Sequence, residues 1–465
     1  MITQELYIGG KRVDLSPEPI TLQYRSNLLG DIDSITSSNS LTIRLPKTPA
    51  NNDVMQFADT LIINSEYRRQ WYDAIYCRNG VQIIKGKITL LSSDRSGYDV
   101  CLVWGIFSNL DVWLKADLTL RDLELTDTAR IVAYSSGLFP RPKPTRVGYI
   151  RYDNGLGYVD GSYSWFFPFV NVGWVWDTLL SSTLMNGVIT VTPDDEVLLD
   201  DLFMNFNDDL VKNTYVNGAI NSFQVREYIP AIGQVEFFKA ICHILGWYVE
   251  AGADGKLQIT KFDKLSDKTR AIDWSDKLAS MGYTPESVEF NFNDYAQRNW
   301  MRYKYDENAS RYVNAPERVN ADGAIIVDDK TLDNDKDLFT LPFSSTDGNY
   351  IRQYQRTVNE QGETETDFIR TEPRIIGLNP NSPVVELYFN DDMRFDNIIA
   401  NRYDYYQQVM TRPIVARVNL RLSEFDLVNI DYTKPIYLQQ YGAYFAIIEI
   451  QTSGAISEAK LLKLV

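Results

Sequence analysis

The stretch PAIGQVEFFKAICHILGWYVEAGADGKLQITKFDKL, residues 230–265, carries the clearest structural signal in the chain. Its first half has apolar residues at helical spacing, namely Phe237, Phe238, Ile241, Ile244 and Leu245. Gly246 follows where a helix C-terminal cap belongs. The second half predicts a β-hairpin that turns around Asp254 and Gly255. A helix followed by antiparallel strands indicates an α+β fold.

On the N-terminal side the dominant pattern has a period of two. Gly9 and Gly10 lie between two short apolar runs, which predicts a tight hairpin. LTIRLP alternates Leu41, Ile43 and Leu45, and YDVCLVW alternates Tyr98, Val100, Leu102 and Trp104, as half-buried strands do. SEYRRQWYDAI, residues 65–75, is interpreted as an inserted helix. Residues 1–124 are therefore predicted to form a small antiparallel β-barrel.

The most apolar stretch is FFPFVNVGWVWDTLL, residues 166–180. It could be a ligand cage, a glycan platform, a membrane anchor or plain core. From Val172 its apolar residues have helical spacing, which favours core. Trp174 and Trp176 cannot both face inward on one helix, so one of them is expected to meet a neighbouring domain or subunit.

The C-terminal third returns to strand patterns, among them SVEFNF at 287–292, and Val418, Leu420 and Leu422 alternate there. One helix, NIIANRYDYYQQVM at 397–410, interrupts these strands. We predict four domains: a barrel at 1–124, a mixed helical and β insert at 125–225, a helix–hairpin unit at 226–283, and a β-rich domain with a second barrel at 284–465. The fold class is therefore α+β and β-rich, with two small tube-type antiparallel barrels and mixed α/β domains inserted in or adjacent to them.

The charge argues against nucleic-acid binding. The chain has 62 acidic and 46 basic side chains, a net charge of -16, and no cluster of Lys and Arg that would hold phosphates. Cys77, Cys101 and Cys242 are far apart, which indicates small buried hydrophobic residues in a reduced compartment. Neither a secretory signal nor a membrane-spanning run is expected, so this chain is predicted not to insert into a membrane.

Residues that could carry catalysis are scarce. The single histidine, His243, lies inside the apolar helix and is interpreted as a core or boundary residue. Asp333, Asp335 and Asp337 hint at a calcium loop, but the turn glycine and the final glutamate are missing, so a solvated acidic turn is favoured. The pairs Asp194–Asp195 and Asp391–Asp392 carry almost no signal for a glycosidase. Gly155, Gly157 and Gly161 do not have phosphate-loop spacing. We therefore predict no catalytic residue, no metal site and no cofactor.

Four stretches resemble the tail hub, or baseplate hub, proteins of tailed bacteriophages, especially those of Bacteroidetes-type phages and prophages. They are SNSLTIRLPKTPANNDVM at 38–55, FPFVNVGWVWDTLL at 167–180, residues 229–265 with AIDWSDKL at 271–278, and VNLRLSEFDLVNIDYTKPIYLQQYGAYFAIIEIQ at 418–451.

The resemblance implies a structural virion protein and not an enzyme. Such hubs form a homotrimeric ring in which each chain supplies two barrels. The ring joins the tail tube to the distal spike or baseplate and lets DNA pass without specific binding. It implies assembly in the bacterial host cytoplasm and no small-molecule substrate. An acidic bore that repels phosphate would suit this role.

Two alternatives remain open. A glycan-binding surface or fibre protein would need an exposed row of aromatic side chains on a concave face. A cell-wall hydrolase would need two carboxyl groups about 5–10 Å apart across a cleft.

Overall fold

The computed structural model describes residues 3–28, 38–60, 70–129, 132–133, 146–152, 165–191, 199–206, 222–251, 257–280, 282–291, 294–304, 321–344, 354–358, 361–362, 364–368, 373–378, 387–388 and 393–465. The described chain is β-rich with few helices, which is the mixed α+β class predicted from sequence.

The strands are numbered in chain order. Those before residue 225 are β1 (Gln4–Ile8), β2 (Lys11–Val13), β3 (Leu22–Arg25), β4 (Ser38–Ser40), β5 (Ile43–Pro46), β6 (Tyr72–Arg78), β7 (Val81–Ser93), β8 (Gly97–Trp104), β9 (Thr128–Ala129), β10 (Val132–Ala133), β11 (Val147–Tyr152), β12 (Trp165–Asn171), β13 (Ile189–Val191), β14 (Leu202–Asn205) and β15 (Phe223–Gln224).

The later strands are β16 (Trp247–Ala251), β17 (Leu257–Lys261), β18 (Ile272–Asp273), β19 (Ser287–Glu289), β20 (Arg298–Lys304), β21 (Gly323–Ile326), β22 (Asp335–Ser344), β23 (Tyr354–Val358), β24 (Thr364–Phe368), β25 (Ile375–Leu378), β26 (Leu387–Tyr388), β27 (Val415–Leu420), β28 (Ile436–Leu438), β29 (Ala443–Thr452) and β30 (Ser457–Lys463). The α-helices are α1 (Pro49–Val54), α2 (Ile106–Leu114), α3 (Val172–Leu180), α4 (Val225–Tyr228), α5 (Gln234–Leu245), α6 (Phe395–Arg402), α7 (Asp404–Thr411) and α8 (Glu424–Val428).

Most of the terminal strands belong to one large sheet, which comprises 14 strands within the described residues. Its order is β19-β27-β30-β29-β3-β4-β8-β7-β6-β1-β2, and β5, β28 and β18 branch from it. Every neighbouring pair along this path is antiparallel. The order shows that the two ends of the chain share one sheet.

The junction between the two ends is the pairing of β3 with β29. Tyr24 lies opposite Ile450, and Arg25 lies opposite Glu449. The pairing continues past β3, because the Ser26 amide donates to the Ile448 carbonyl at 3.0 Å. Tyr24, Ile450 and Leu22 are buried there, so the junction also carries part of the hydrophobic core.

The strands predicted on the N-terminal side are confirmed. β1 and β2 form a hairpin in which Gly9 and Gly10 adopt φ values of 55° and 80°, a region that favours glycine. In β8, Tyr98, Val100 and Leu102 are buried while the intervening residues are half-buried. In LTIRLP the alternation is confirmed for Ile43 and Leu45, but Leu41 is exposed.

The helix–hairpin unit and the mid-chain helix are also confirmed. α5 ends at Gly246, which adopts the left-handed conformation with φ 64° and ψ 32°. β16 and β17 pair antiparallel after it. The predicted turn at Asp254 and Gly255 lies outside the described residues. α3 begins at Val172, where the Asn171 side chain accepts a hydrogen bond from the Trp174 amide at 2.9 Å.

Two predictions of helices need correction. Tyr72–Arg78 is strand β6, so the helix predicted at 65–75 is wrong over its last residues; residues 65–69 lie outside the described part. β6 pairs with β1 on one side and β7 on the other, and these two sets of hydrogen bonds outweigh the local pattern. The single helix predicted at 397–410 is two helices, α6 and α7, separated at Tyr403.

The two predicted barrels are not seen as closed structures. Within the described residues, the end strands β2 and β19 pair only with their inner neighbours and not with each other. The two-barrel layout and the four domain boundaries therefore stay predictions.

Candidate functional site

His243, the one histidine, is a buried residue on α5, as predicted. Its ring stacks on Phe339 of β22, with ring centroids 3.9 Å apart. It lines a half-open cavity of about 390 Å³ between the C-terminal end of α2, α5 and β22. The charged residues lining this cavity are Asp117, Glu236 and Lys239, and Cys242 does not line it. The fold therefore keeps His243 and Cys242 apart, as their adjacent helix positions predict.

The acidic triplet is solvated, as predicted, since Asp333, Asp335 and Asp337 are all exposed. Asp333 precedes β22, but Asp335 and Asp337 belong to that strand and not to a turn. Asp335 accepts hydrogen bonds from Arg298 and from the Trp300 indole, each at 2.8 Å. Asp337 pairs with Arg302 at 2.6 Å. These carboxylates are used to hold β22 against β20. In the part of the chain that the structure describes, no group of three potential metal ligands occurs.

Several sequence candidates lie outside the described residues: Asp194, Asp195, Asp391, Asp392, Gly155, Gly157 and Gly161.

The three cysteines are free thiols. Cys242 is buried, as predicted, but Cys77 and Cys101 are only half-buried. Burial raises the pKa of each of the three thiols above the ordinary value. Elevated pKa values keep these side chains in the unreactive thiol form near neutral pH.

The apolar stretch at 166–180 is mainly core where its side chains are described. Trp176 is fully buried, stacks on Phe238 at 5.1 Å, and contacts Trp247 at 5.5 Å. Trp174 is half-buried, and the Arg146 guanidinium lies over its ring at 5.4 Å. Trp176 is thus the residue that joins this helix to the helix–hairpin unit. Among the described helices, none combines the length and apolar character that crossing a membrane requires.

A buried arginine also joins the two ends of the chain. Arg78, at the end of β6, donates to Glu424 at 3.0 Å, to Thr452 at 3.3 Å and to the Gly454 carbonyl at 2.9 Å. All three acceptors come from the C-terminal region. Because a guanidinium group is costly to bury unless it is paired and hydrogen-bonded, these three contacts hold the two ends in a defined relative position.

One edge of the large sheet is covered. Strand β2 forms that edge, and helix α1 packs beside it. Buried Asn51 of α1 accepts a hydrogen bond from the Asp14 amide at 2.8 Å and donates to the Asp14 and Pro46 carbonyls at 2.9 and 2.8 Å. Lys11 and Asp53 form an ion pair at 2.9 Å on the outside. The side chain of Asn51 thus occupies backbone groups that an added strand would need.

The opposite edge is apolar and exposed. Val288 of β19 lies opposite Ala416, on the face of β27 where Val418 and Leu420 are also buried. Val288 is nevertheless 40% exposed, and Phe290, two residues on, is 69% exposed. The core layer of the sheet therefore continues to the surface at this edge. We name the edge formed by residues 283–290 the open edge.

Sequence patterns had indicated a strand in SVEFNF but not that it would be an exposed edge. Strand periodicity gives the face of a residue and not its place in the sheet order. The roles of Arg78 and Asn51 had no sequence signal at all, because their partners lie elsewhere in the chain.

No protein-family model matches this chain, and no curated protein matches it. Solved structures that align with almost the whole length of the chain include two tail proteins. The 43 kDa tail protein of prophage MuSo2 from Shewanella oneidensis has 10% identity and a TM-score of 0.40, over 99% of this chain and 98% of that one. The tail protein from Neisseria meningitidis MC58 has 10% identity and a TM-score of 0.41, over 99% and 96%.

Proposed function

We propose that this protein is a structural component of a phage tail, a hub whose three chains form a ring between the tail tube and the spike or baseplate. DNA passes through this ring, and the tube and spike proteins are its partners. The proposal begins from the four hub-like stretches of sequence. It places the protein in the virion after assembly in the host cytoplasm.

The observation that carries the proposal is the large sheet with one covered and one open edge. A sheet whose core layer ends in exposed Val288 and Phe290 has an apolar surface that association can bury. Because the β2 edge is covered, a strand of another chain cannot add there, so the sheets of neighbouring chains cannot join without limit. In the proposed ring, the open edge of one chain would contact a different surface of the next chain, because head-to-tail contacts join two unlike surfaces.

The contacts between the two ends of the chain support a role in which the protein must keep its shape under force. The β3–β29 pairing and the buried Arg78 contacts tie the two ends together. In the proposed ring, the two ends supply the two barrels of each chain. These contacts would hold the two barrels in one relative position while DNA passes.

The net charge of -16 supports a DNA conduit. Acidic side chains facing a channel repel phosphate groups, so the strand would slide without adhering. A basic bore, seen by imaging, would contradict this part of the proposal.

The mass of the protein in solution tests the ring directly. Light scattering behind a sizing column should give about 160 kDa, the mass of three chains of 53.4 kDa each. Electron microscopy of that species should show a threefold ring with an open centre. A monomer at every concentration up to the limit of solubility, or a compact particle without a central opening, would contradict the proposal.

A further inference from the structure

A second surface with an exposed aromatic side chain lies at the far end of the strand order from the open edge. Just beyond helix α1, Phe57 is 47% exposed. Asp53 of α1 pairs with Lys11 of the adjoining strand β2. We name the surface formed by the exposed residues Lys11, Asp53, Gln56 and Phe57 the α1 face. Along the main path of the sheet, nine strands lie between β2 and β19, so one chain presents two unlike surfaces.

The backbone that presents Phe57 is strained. The φ angle of Phe57 is 49° and that of Gln56 is 47°, in the left-handed region that bulky side chains disfavour. Hydrogen bonds hold this conformation, because the Phe57 amide donates to the Asn52 carbonyl at 3.0 Å and the Thr60 amide donates to the Phe57 carbonyl at 2.9 Å. Strain of this kind persists only where the surrounding structure imposes it. The fold therefore directs the Phe57 side chain outward, where its apolar area is accessible to a partner.

The two surfaces also carry charges of opposite sign that can pair. At the open edge, Glu286 is exposed, and the group that donates to its carboxylate, the Asn419 side-chain amide at 3.1 Å, is uncharged. On the α1 face, the Lys11 ammonium pairs with Asp53 at 2.9 Å, and both side chains are largely exposed. Exposed ion pairs contribute little to stability. Lys11 can therefore approach a carboxylate of another chain at a small cost.

We propose that the open edge of one chain docks on the α1 face of a second copy of this chain. Phe57 of one copy packs against Val288 and Phe290 of the next, and Lys11 lies beside Glu286. This inference rests on the proposed ring, for which it names the two surfaces in contact. The contact is made by side chains, so it needs no strand addition at the covered β2 edge.

The complementarity of the two surfaces points to a second copy as the occupant. The open edge offers apolar area and an anion, and the α1 face offers an aromatic ring and a cation. Every chain carries both surfaces at different places in its sheet order. Each copy can therefore use its open edge on one neighbour and its α1 face on the other, as head-to-tail contacts require.

A single substitution on the α1 face of the full chain tests the docking. Light scattering over a dilution series gives the concentration at which half of the trimer has dissociated. Phe57→Asp should raise this midpoint at least roughly 30-fold, because the loss of a central aromatic contact weakens an interface strongly. The fold should be retained, since Asp adopts the left-handed backbone more readily than Phe. Val112→Asp, a matched change at a 58% exposed residue of α2, should leave the midpoint unchanged.

An exchange of charges tests which surfaces face each other. Lys11→Glu and Glu286→Lys should each raise the dissociation midpoint roughly fivefold, because each places like charges across the contact. The double variant restores an opposite pair with its sign reversed, so its midpoint should return to within about twofold of the wild type. Such a rescue is expected only if the two side chains meet in the assembled protein, since they lie on different surfaces of one chain.

The outcomes separate this inference from the proposed function. A wild-type protein that is monomeric at every concentration contradicts the ring and the docking together. A wild-type trimer that Phe57→Asp leaves intact refutes the docking alone, and shows that the α1 face is free or serves a different protein. A double charge variant that loses the sum of the two single effects also refutes it, because Lys11 and Glu286 are then not in contact between chains.

Discussion

At one edge of the large sheet, strand β2 lies beside helix α1, and Asn51 occupies backbone groups of residue 14. At the other edge, Val288 of strand β19 and Phe290 just after the strand are exposed to solvent, although most residues of the neighbouring strand β27 are buried. Natural sheets usually cover or charge their edges, because unpaired strands attract other chains. Within the described residues, the β2 edge is protected from association with another strand and the open edge is not. In the proposed ring, the open edge is therefore the surface that we assign to a partner subunit.

The largest expected effect is at the open edge. Val288→Asp combined with Phe290→Asp should abolish the proposed trimer, because it places charges in the apolar surface that association would bury. The fold should be retained, since both side chains are already exposed in the monomer. Light scattering gives the mass, and circular dichroism checks the fold.

The matched control is Leu41→Asp with Leu91→Asp. These residues are 45% and 56% exposed, and neither belongs to the open edge. The control should still assemble. Loss of assembly in both double variants, or in neither, would contradict the claim that the open edge is the surface buried on association.

A second substitution removes the hydrogen bonds that Asn51 makes beside the covered edge. Asn51→Ala deletes three hydrogen bonds and leaves the polar backbone groups of residues 14 and 46 without these partners. It should lower the free energy of unfolding by about 3 kcal/mol, measured by urea denaturation. Asp53→Asn on the same helix removes only an exposed ion pair and should cost less than about 1 kcal/mol. Equal losses would show that α1 does not protect the edge through Asn51.

The smallest expected effect is on the stability of the fold at acidic pH. Burial alone would raise the pKa of Glu289 on β19, but its bond to Arg417 and the charge of Lys460 hold the pKa below its ordinary 4.5. A lowered pKa stabilises the fold above the ordinary value and loses that contribution as the pH falls through the lowered one.

Unfolding measured between neutral and acidic pH should therefore show a shallower decline for Glu289→Gln than for the wild type. The effect is small because this carboxylate is partly solvated. Lys460→Met should shift the decline of the otherwise intact protein toward higher pH, since it removes a charge that favours the anion. Coincident wild-type and Glu289→Gln profiles would show that this carboxylate does not hold β19 in place.

The elements that were predictable share one property: their signal is local. α5 with its Gly246 cap, α3 after Asn171, and the alternating strand β8 each follow from residues within a few positions of one another. The strand β6 was missed because its local pattern resembles a helix, and only pairing on both of its sides decides its conformation.

The candidate site was less predictable than the fold. Strand periodicity marks SVEFNF but cannot tell an inner strand from an edge strand. The identification of Val288 and Phe290 as an exposed apolar edge required the order of strands in the sheet. The sequence favoured a solvated acidic turn for the triplet at 333–337, but it could not show that Asp335 and Asp337 form ion pairs between two strands.

Local patterns were enough to predict the β-rich α+β class, the helix–hairpin unit and the core or boundary position of His243, because hydrophobic periodicity and caps act over short distances. Three contacts could be found only in the folded chain: β3 pairs with β29, Arg78 reaches Glu424, and residues 26–28 surround Glu250. These contacts join residues hundreds of positions apart. Their stability comes from groups that become neighbours after folding, and a buried carboxyl or guanidinium has no local pattern that names its partner.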